Sequence, residues 1–148
     1  MAAIAATPLF MRDVLLTLKV GAGTVSEYQC HVSIARVQVT AGDTVTVQTL
    51  CTDGTFSQAG KSTYALVLEG IQYWSADGLS RYLWDNDGLV ADFVLQPHGS
   101  ATAIGTDTPA MTGQVTLHAG DFGGEVETYA ELAVELPCVS KPALDTAP

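Results

Sequence analysis

Apolar and polar residues alternate along most of the chain, which is the period of a strand with one buried face. Between Val14 and Val20, the residues Val14, Leu16, Leu18 and Val20 fall on one face and Leu15, Thr17 and Lys19 on the other. Between Glu27 and Ile34, Tyr28, Cys30, Val32 and Ile34 alternate with Glu27, Gln29, His31 and Ser33. The phase slips at Ala35-Arg36, because Val37 and Val39 form the next apolar pair, and a slip of this kind predicts a bulge or a strand break. Ala41-Gly42-Asp43 is a turn signal, after which Val45 and Val47 alternate with Thr44, Thr46 and Gln48. The stretch from Thr52 to Lys61, with Asp53-Gly54 and Ala59-Gly60, reads as a loop, and Thr63 to Gln72 as a strand with Tyr64, Leu66 and Leu68 on one face.

The period then changes. Between Ser75 and Asp87, Leu79, Tyr82 and Leu83 recur at helical spacing, with Ser75 or Asp77 as the cap and Gly88 as the stop. A helix this short is stable only when packed on a sheet. Leu89 to Gln96 returns to the strand period, with Leu89, Ala91, Phe93 and Leu95 facing a core, and Pro97 to Pro109 is a loop of small and turn-forming residues. Thr112, Gln114, Thr116 and His118 then alternate with Gly113, Val115, Leu117 and Ala119. Gly120 to Gly124 predicts a hairpin connection into a long last strand. One face of that strand carries Val126, Thr128, Ala130, Leu132, Val134 and Leu136, and the other carries Glu125, Glu127, Tyr129, Glu131, Ala133 and Glu135. Pro137 ends it.

Five strands, one short helix and three strands predict a mainly β fold: an antiparallel β-sandwich or distorted barrel, with the one short α-helix flanking an open end or edge. The pattern has no internal repeat. It predicts a single domain over 1–148, with a flexible N-terminal arm (about 1–12) and a loose C-terminal tail (about 139–148).

Composition narrows the function classes. With 148 residues, 47% of them hydrophobic and 15% charged, the chain is one ordinary domain with enough apolar material for a core. No run approaches the ~20 apolar residues of a membrane span. The start has no basic flank, so it reads as an arm and not as a signal peptide. The net charge is -10, and Arg12, Lys19, Arg36, Lys61, Arg81 and Lys141 are scattered singly, a pattern that disfavours stable nucleic-acid binding. Cys30, Cys51 and Cys138 are odd in number and far apart. They read as reduced, half-buried thiols, with one bridge plus a leftover thiol as the other arrangement.

No catalytic, cofactor or metal site is expected. Gly54 to Ser62 resembles a phosphate-binding loop, but five residues separate Gly54 from Gly60, and a strand pattern follows where a helix is needed. Gly21-Ala22-Gly23 opens no helix and reads as a turn. Asp85-Asn86-Asp87-Gly88 places its glycine too early for a calcium loop. His31, His98 and His118 fall on separate elements. Tyr73, Trp74, Tyr82 and Trp84 cluster at the predicted helix and look like packing. The Glu125, Glu127, Glu131 and Glu135 stripe spaces alternate carboxylates by ~6–7 Å with no polar pocket predicted around them, which suits a solvated acidic strip better than acid–base chemistry.

The layout also resembles a known family. A strand pair over Val25 to Leu50 is followed by the Gly, Ser and Lys loop from Asp53 to Ser62. The strand Thr63 to Gly70 then leads into a lone helix at Leu79 to Trp84, and an end hairpin is closed by Pro137-Cys138-Val139-Ser140-Lys141-Pro142. In this the chain resembles the tail tube proteins, or major tail proteins, of long non-contractile-tailed bacteriophages, over nearly its whole length. The resemblance implies a sandwich flanked by one helix, six copies to a ring, inner sheets joined into a continuous barrel, and rings stacked into a tube through which DNA passes without stable binding. It implies self-association, other tail proteins at the tube ends, assembly in the host cytoplasm, and a place in the virion. DNA slides through such a lumen best if the wall repels or ignores phosphates. The candidate lumen-facing residues are therefore Glu27, Gln29, His31, Thr44, Thr46, Gln48, Gln114, Thr116, Glu125, Glu127, Glu131 and Glu135. The candidate contact loop between subunits and rings carries Asp53, Gly54, Thr55, Phe56, Ser57, Gln58 and Lys61. A tail terminator, a capsid decoration protein or a non-viral sandwich binding module are the competing expectations.

Overall fold

The structure, a computed structural model, describes residues 2–6, 8–99 and 103–146. Met1 and Thr7 of the expected arm, residues 100–102 of the expected 97–109 loop, and Ala147 and Pro148 of the expected tail lie outside the described residues. Before the helix come β1 (Leu15–Val20), β2 (Ser26–Glu27), β3 (Val32–Thr40), β4 (Val45–Gln48), β5 (Thr55–Gln58) and β6 (Thr63–Ile71). After α1 (Leu79–Asp85) come β7 (Val90–Gln96), β8 (Ala110–Thr116), β9 (Glu131–Pro137) and β10 (Ala143–Asp145). The strands form a five-stranded sheet in the order β10-β8-β7-β1-β2, a three-stranded sheet in the order β3-β6-β9, and a separate ribbon of β4 and β5.

All the pairings are antiparallel, and the alternation read from the sequence decides which side of each sheet is buried. Leu16, Leu18, Ala91, Phe93, Leu95 and Val115 point inward from the five-stranded sheet. Leu66, Leu68, Leu132, Val134 and Leu136 meet them from the three-stranded sheet in one continuous core. A bridge between Val115 and Cys138, with the Val139 amide donating to the Gln114 carbonyl, joins the sheets along one side. The result is the expected antiparallel β-sandwich, partly closed like a distorted barrel.

The helix α1 closes an end of the sandwich by burying Leu79, Ser80 and Leu83. Neither Ser75 nor Asp77 caps it: Gly78 holds the cap position and has no side chain to offer. The buried Ser80 hydroxyl instead accepts from the Tyr73 amide at 3.2 Å, anchoring the first turn to the end of β6. At the other end, the backbone amide and the side-chain amide of Asn86 both donate to the Tyr82 carbonyl, which uses an orphan acceptor of the last turn.

Several local expectations are corrected. The stretch Glu27 to Ile34 is not one strand: β2 belongs to one sheet and β3 to the other, and Tyr28 to His31 turns between them, with the His31 amide donating to the Tyr28 carbonyl. The register shift lies between Val32 and Ile34, not at Ala35-Arg36, so Ala35 and Val37 turn inward and Ile34 outward. It sits opposite Gly70, where an added Cβ would strike the His31 carbonyl, so only glycine lets the chain pass this close.

The second correction is β5, which occupies part of the expected 52–61 loop and makes it a ribbon with β4. The third concerns the expected last hairpin. β8 and β9 lie in different sheets, the chain between them crosses from one to the other, and β9 begins only at Glu131. Val126, 90% exposed, faces solvent and not the core. Fourth, the end of the described chain is not loose, because β10 pairs with β8 as Ala143↔Thr112 and Leu144↔Met111. Leu89, expected to face the core, is exposed just ahead of β7.

Candidate functional site

The resemblance to a phosphate-binding loop does not survive folding. Gly54 to Ser62 contains β5 and runs into β6, so no helix N-terminus is present to hold a phosphate. Asp85 to Gly88 is the end of α1, where Asp87 accepts from the Ala119 amide at 2.9 Å and lies 4.0 Å from His118 Nδ1. His31 is committed to an aromatic stack with Tyr73, with ring centroids 4.6 Å apart, and its buried Nδ1 has no hydrogen-bond partner. Burial raises the pKa of Tyr28 and of Tyr82 above the usual phenol value, and their rings pack 5.4 Å apart as part of the core edge. Among the described residues, no group of three metal-ligating side chains converges, and no helix is long and apolar enough to cross a membrane.

All three cysteines are free, and Cys30 and Cys51 are exposed where half-buried thiols were expected. Cys138 alone is half-buried, and burial pushes its thiol pKa up. Less of it is thiolate near neutral pH, and the thiolate is the nucleophile. An aromatic disulfide reagent is therefore expected to titrate two thiols quickly and the third slowly. Equal rates for all three would contradict this packing.

What the fold does present is unpaired strand margin and exposed apolar surface. The three-stranded sheet has β3 and β9 at its margins. Among the described residues, β3 has no partner on its outer side, and β9 has only the Val115–Cys138 bridge at its end. Unpaired strand edges are surfaces that natural proteins cover or pair. The outward face of this sheet follows from its register. Arg36 and Glu135 flank Val67, Ile34 and Ala133 flank Glu69, and Glu131 lies beside Ile71.

The ribbon is a second surface. Val45, Val47 and Phe56 lie on one side and Thr46, Gln48, Thr55 and Ser57 on the other, with the Thr46 and Ser57 hydroxyls 3.2 Å apart. Every residue of both strands is exposed. The candidate contact residues Thr55, Phe56, Ser57 and Gln58 are β5 itself; Asp53 and Gly54 sit in the tight turn before it, and Lys61 at its base. Among the described residues no third strand pairs with this ribbon and its apolar face is exposed, whereas an isolated two-stranded ribbon is marginally stable in water.

The twelve candidate wall residues do not share one surface. Glu131 and Glu135 lie on the outward face of the three-stranded sheet, whereas Gln114 and Thr116 lie on the outward face of the five-stranded sheet, where Gln114 donates to Asp92. Glu27 is on β2 at the margin of that second sheet, and Thr44, Thr46 and Gln48 belong to the ribbon or its approach. Gln29 and His31 lie in the turn between sheets, where the Gln29 side-chain carbonyl accepts from the Leu16 amide. Glu125 and Glu127 precede β9, in a turn where Glu127 takes φ 68°.

One surface was read differently from sequence. Trp74 and Trp84, expected as packing, join Phe122 in an outward aromatic group with Trp84 58% and Phe122 76% exposed. Sequence spacing alone does not bring Phe122 to the helix; the crossing of the 117–130 segment does.

No family model and no curated protein matches the sequence. Solved structures do match the fold. A chain from the tail of an empty gene transfer agent particle, reconstructed with helical refinement and C6 symmetry, superposes with a TM-score of 0.59 at 19% identity, covering 91% of this chain and 96% of that one. A chain from the virion of a native gene transfer agent particle superposes with a TM-score of 0.57 at 16% identity, covering 88% and 95% respectively. In agreement with the tail-tube resemblance of its sequence, the chain has the fold of subunits found in a gene transfer agent's tail and virion.

Proposed function

We propose that this chain is a structural, non-enzymatic subunit of a phage-like virion tail, which associates with itself into rings and stacks the rings into a tube for DNA. The observation that carries the reading is a three-stranded sheet with two available margins, in a fold shared with a chain of a six-fold tail. Both β3 and β9 run antiparallel to β6, so they point the same way. A closed head-to-tail ring then pairs β9 of one copy in parallel with β3 of the next, and neither margin of the three-stranded sheet is left bare.

On this arrangement the lumen wall is the outward face of that sheet. Glu69, Glu131 and Glu135 outnumber Arg36 there, so the wall is acidic. Of the wall candidates read from sequence, Glu131 and Glu135 are the two this reading keeps on the sheet, and the polar side of the ribbon, with Thr46 and Gln48, extends from its β3–β6 end. The repulsion of phosphates acts over the ~8 Å Debye length of physiological salt, enough to stop DNA sticking without blocking it. The whole chain acts as one domain, other tail proteins close the ends of the tube, and the tube is assembled in the host cytoplasm as part of the virion.

The test is electron microscopy of the purified protein in negative stain, with sedimentation, across a series of salt and magnesium concentrations. Hollow tubes are expected, more abundant as ionic strength rises, because a net charge of -10 per copy opposes association at low salt. A protein that stays monomeric at every concentration and salt overturns the reading. Tubes that form equally well at low and high salt leave the tube and remove the electrostatic account.

A further inference from the structure

The aromatic group beside α1 is built, not incidental. Trp74 packs edge-on against Phe122 at 4.7 Å and against Trp84 at 6.2 Å. Gln72 clamps it from behind. Its Oε1 accepts from the Trp74 indole at 2.9 Å and from the Gly123 amide at 3.0 Å, while its Nε2 donates to the Gly123 carbonyl at 3.1 Å and the Glu131 carbonyl at 2.7 Å. Gly123 takes φ 98° in this clamp, a conformation that favours glycine. The Asp87 carboxylate holds the same segment through the Ala119 amide. A glutamine with both ends of its amide committed is there to fix a shape, and the shape is a ledge of two half-open rings, Trp84 and Phe122. Asp121 adjoins Phe122 in sequence, while Asp85, beside Trp84, pairs with Arg81 at 3.4 Å. Rigid, exposed tryptophan and phenylalanine on a fixed backing are the composition of an interface anchor.

The complement is present elsewhere on the chain. Leu9, Phe10 and Met11 are all exposed, and the Arg12 guanidinium lies over the Phe10 ring at 5.4 Å. Arg12 is the one charged residue of the first twelve, so this segment is apolar with a single positive charge, and the aromatic ledge has the Asp121 carboxylate next to Phe122 as its complement. Met–aromatic and Arg–aromatic contacts fit such a pair. The root of the segment is far from its own ledge. Asp13 lies against Gly99, past the end of β7, whereas the ledge is tied down around Gly88 and Leu117, before the start of β7. The seven residues of β7 put ~20–25 Å between the two ends.

We propose that the Trp74–Trp84–Phe122 ledge is the docking site for the Leu9–Arg12 segment of a second copy of this chain. The site at one end and its ligand at the other make a head-to-tail contact that repeats from copy to copy. This rests on the self-assembling reading above and specifies one of its contacts.

Both tryptophans of the chain lie in the ledge, so intrinsic fluorescence reports on it directly. With the full-length protein, tryptophan emission is followed alongside sedimentation as concentration and salt rise. Emission is expected to move to shorter wavelength in step with association. Arg12→Glu, Asp121→Arg and Trp84→Gln are each expected to raise the concentration for half-assembly by ~10-fold or more, the range of an interface anchor. The combined Arg12→Glu/Asp121→Arg protein is expected to assemble better than either single variant. All these positions are exposed, and far-ultraviolet circular dichroism confirms that each variant folds. Tubes that form normally from Trp84→Gln and Arg12→Glu overturn this contact and leave the tail reading standing. An emission shift independent of concentration overturns it too, since the segment then docks on its own copy. A chain that never associates overturns both.

Discussion

Phe93→Ala is expected to destabilise the isolated domain by ~3–5 kcal/mol, the cost of losing a fully buried aromatic side chain and leaving a cavity. Phe93 is 1% exposed at the middle of β7, opposite Leu18 on β1 and Gly113 on β8. A Cβ added at Gly113 would lie 3.0 Å from Phe93 Cε1, so the ring extends over the glycine and fills the space a side chain there would need. Neighbours cannot close the gap without moving a strand, because Leu16, Leu18, Leu66 and Leu68 are already fully buried around the same core. A domain of this size has ~5–15 kcal/mol in total, so the variant sits near the edge of folding. Urea unfolding followed by circular dichroism reads the loss. It must be done on dissociated protein, since self-association stabilises the folded state by mass action and would mask part of the change. A cost under ~1 kcal/mol would show that the ring is not central to the packing.

The double substitution Val47→Ser/Phe56→Ser is expected to do the opposite: abolish tubes while leaving the monomer's unfolding midpoint nearly unchanged. Val47 and Phe56 are directly paired across the ribbon, and Phe56 is 67% exposed. The monomer therefore has little to lose when they become polar. An assembly that covers this face loses two apolar side chains per copy, each worth ~1.5–3 kcal/mol when fully buried, and the loss recurs at every contact of the tube. Microscopy and sedimentation read the first half, and urea unfolding the second. Normal tubes from this variant would show that the ribbon is not an assembly contact. A large drop in the midpoint would show that the face already packs within the monomer.

The two substitutions also mark where the sequence was readable and where it was not. Phe93 was readable: Leu89, Ala91, Phe93 and Leu95 alternate, and three of the four are buried as the period requires. The same holds for Leu16 and Leu18, for Leu66 and Leu68, and for Leu132, Val134 and Leu136. Leu89 fails because it lies just ahead of β7, where Gly88 at φ 86° and Leu89 both bond to Leu117 and the regular alternation is broken. The ribbon was half readable. Val45 and Val47 alternate with polar residues, but Thr55 to Gln58 is too short and too polar to stand out as a strand, and it becomes one by pairing with β4. For the candidate wall, alternation put Glu131 and Glu135 on a polar face correctly. It carried the same face back to Glu125 and Glu127, where the chain is already in a turn.

The sequence by itself determined that this is an acidic, mainly β chain with one short helix, and for most strands which residues go inside. Those properties follow from alternation and composition, and they depend only on neighbours in the chain. Only the tertiary structure decided which strands share a sheet, because a period of two is the same in either sheet. That choice splits Glu27 to Ile34 between two sheets, sends β8 and β9 apart where a hairpin was expected, and binds β10 to β8. It also leaves β3 and β9 at the margins of one small sheet and brings Phe122 to Trp74. The surfaces from which assembly is argued are products of that long-range pairing, which no local pattern encodes.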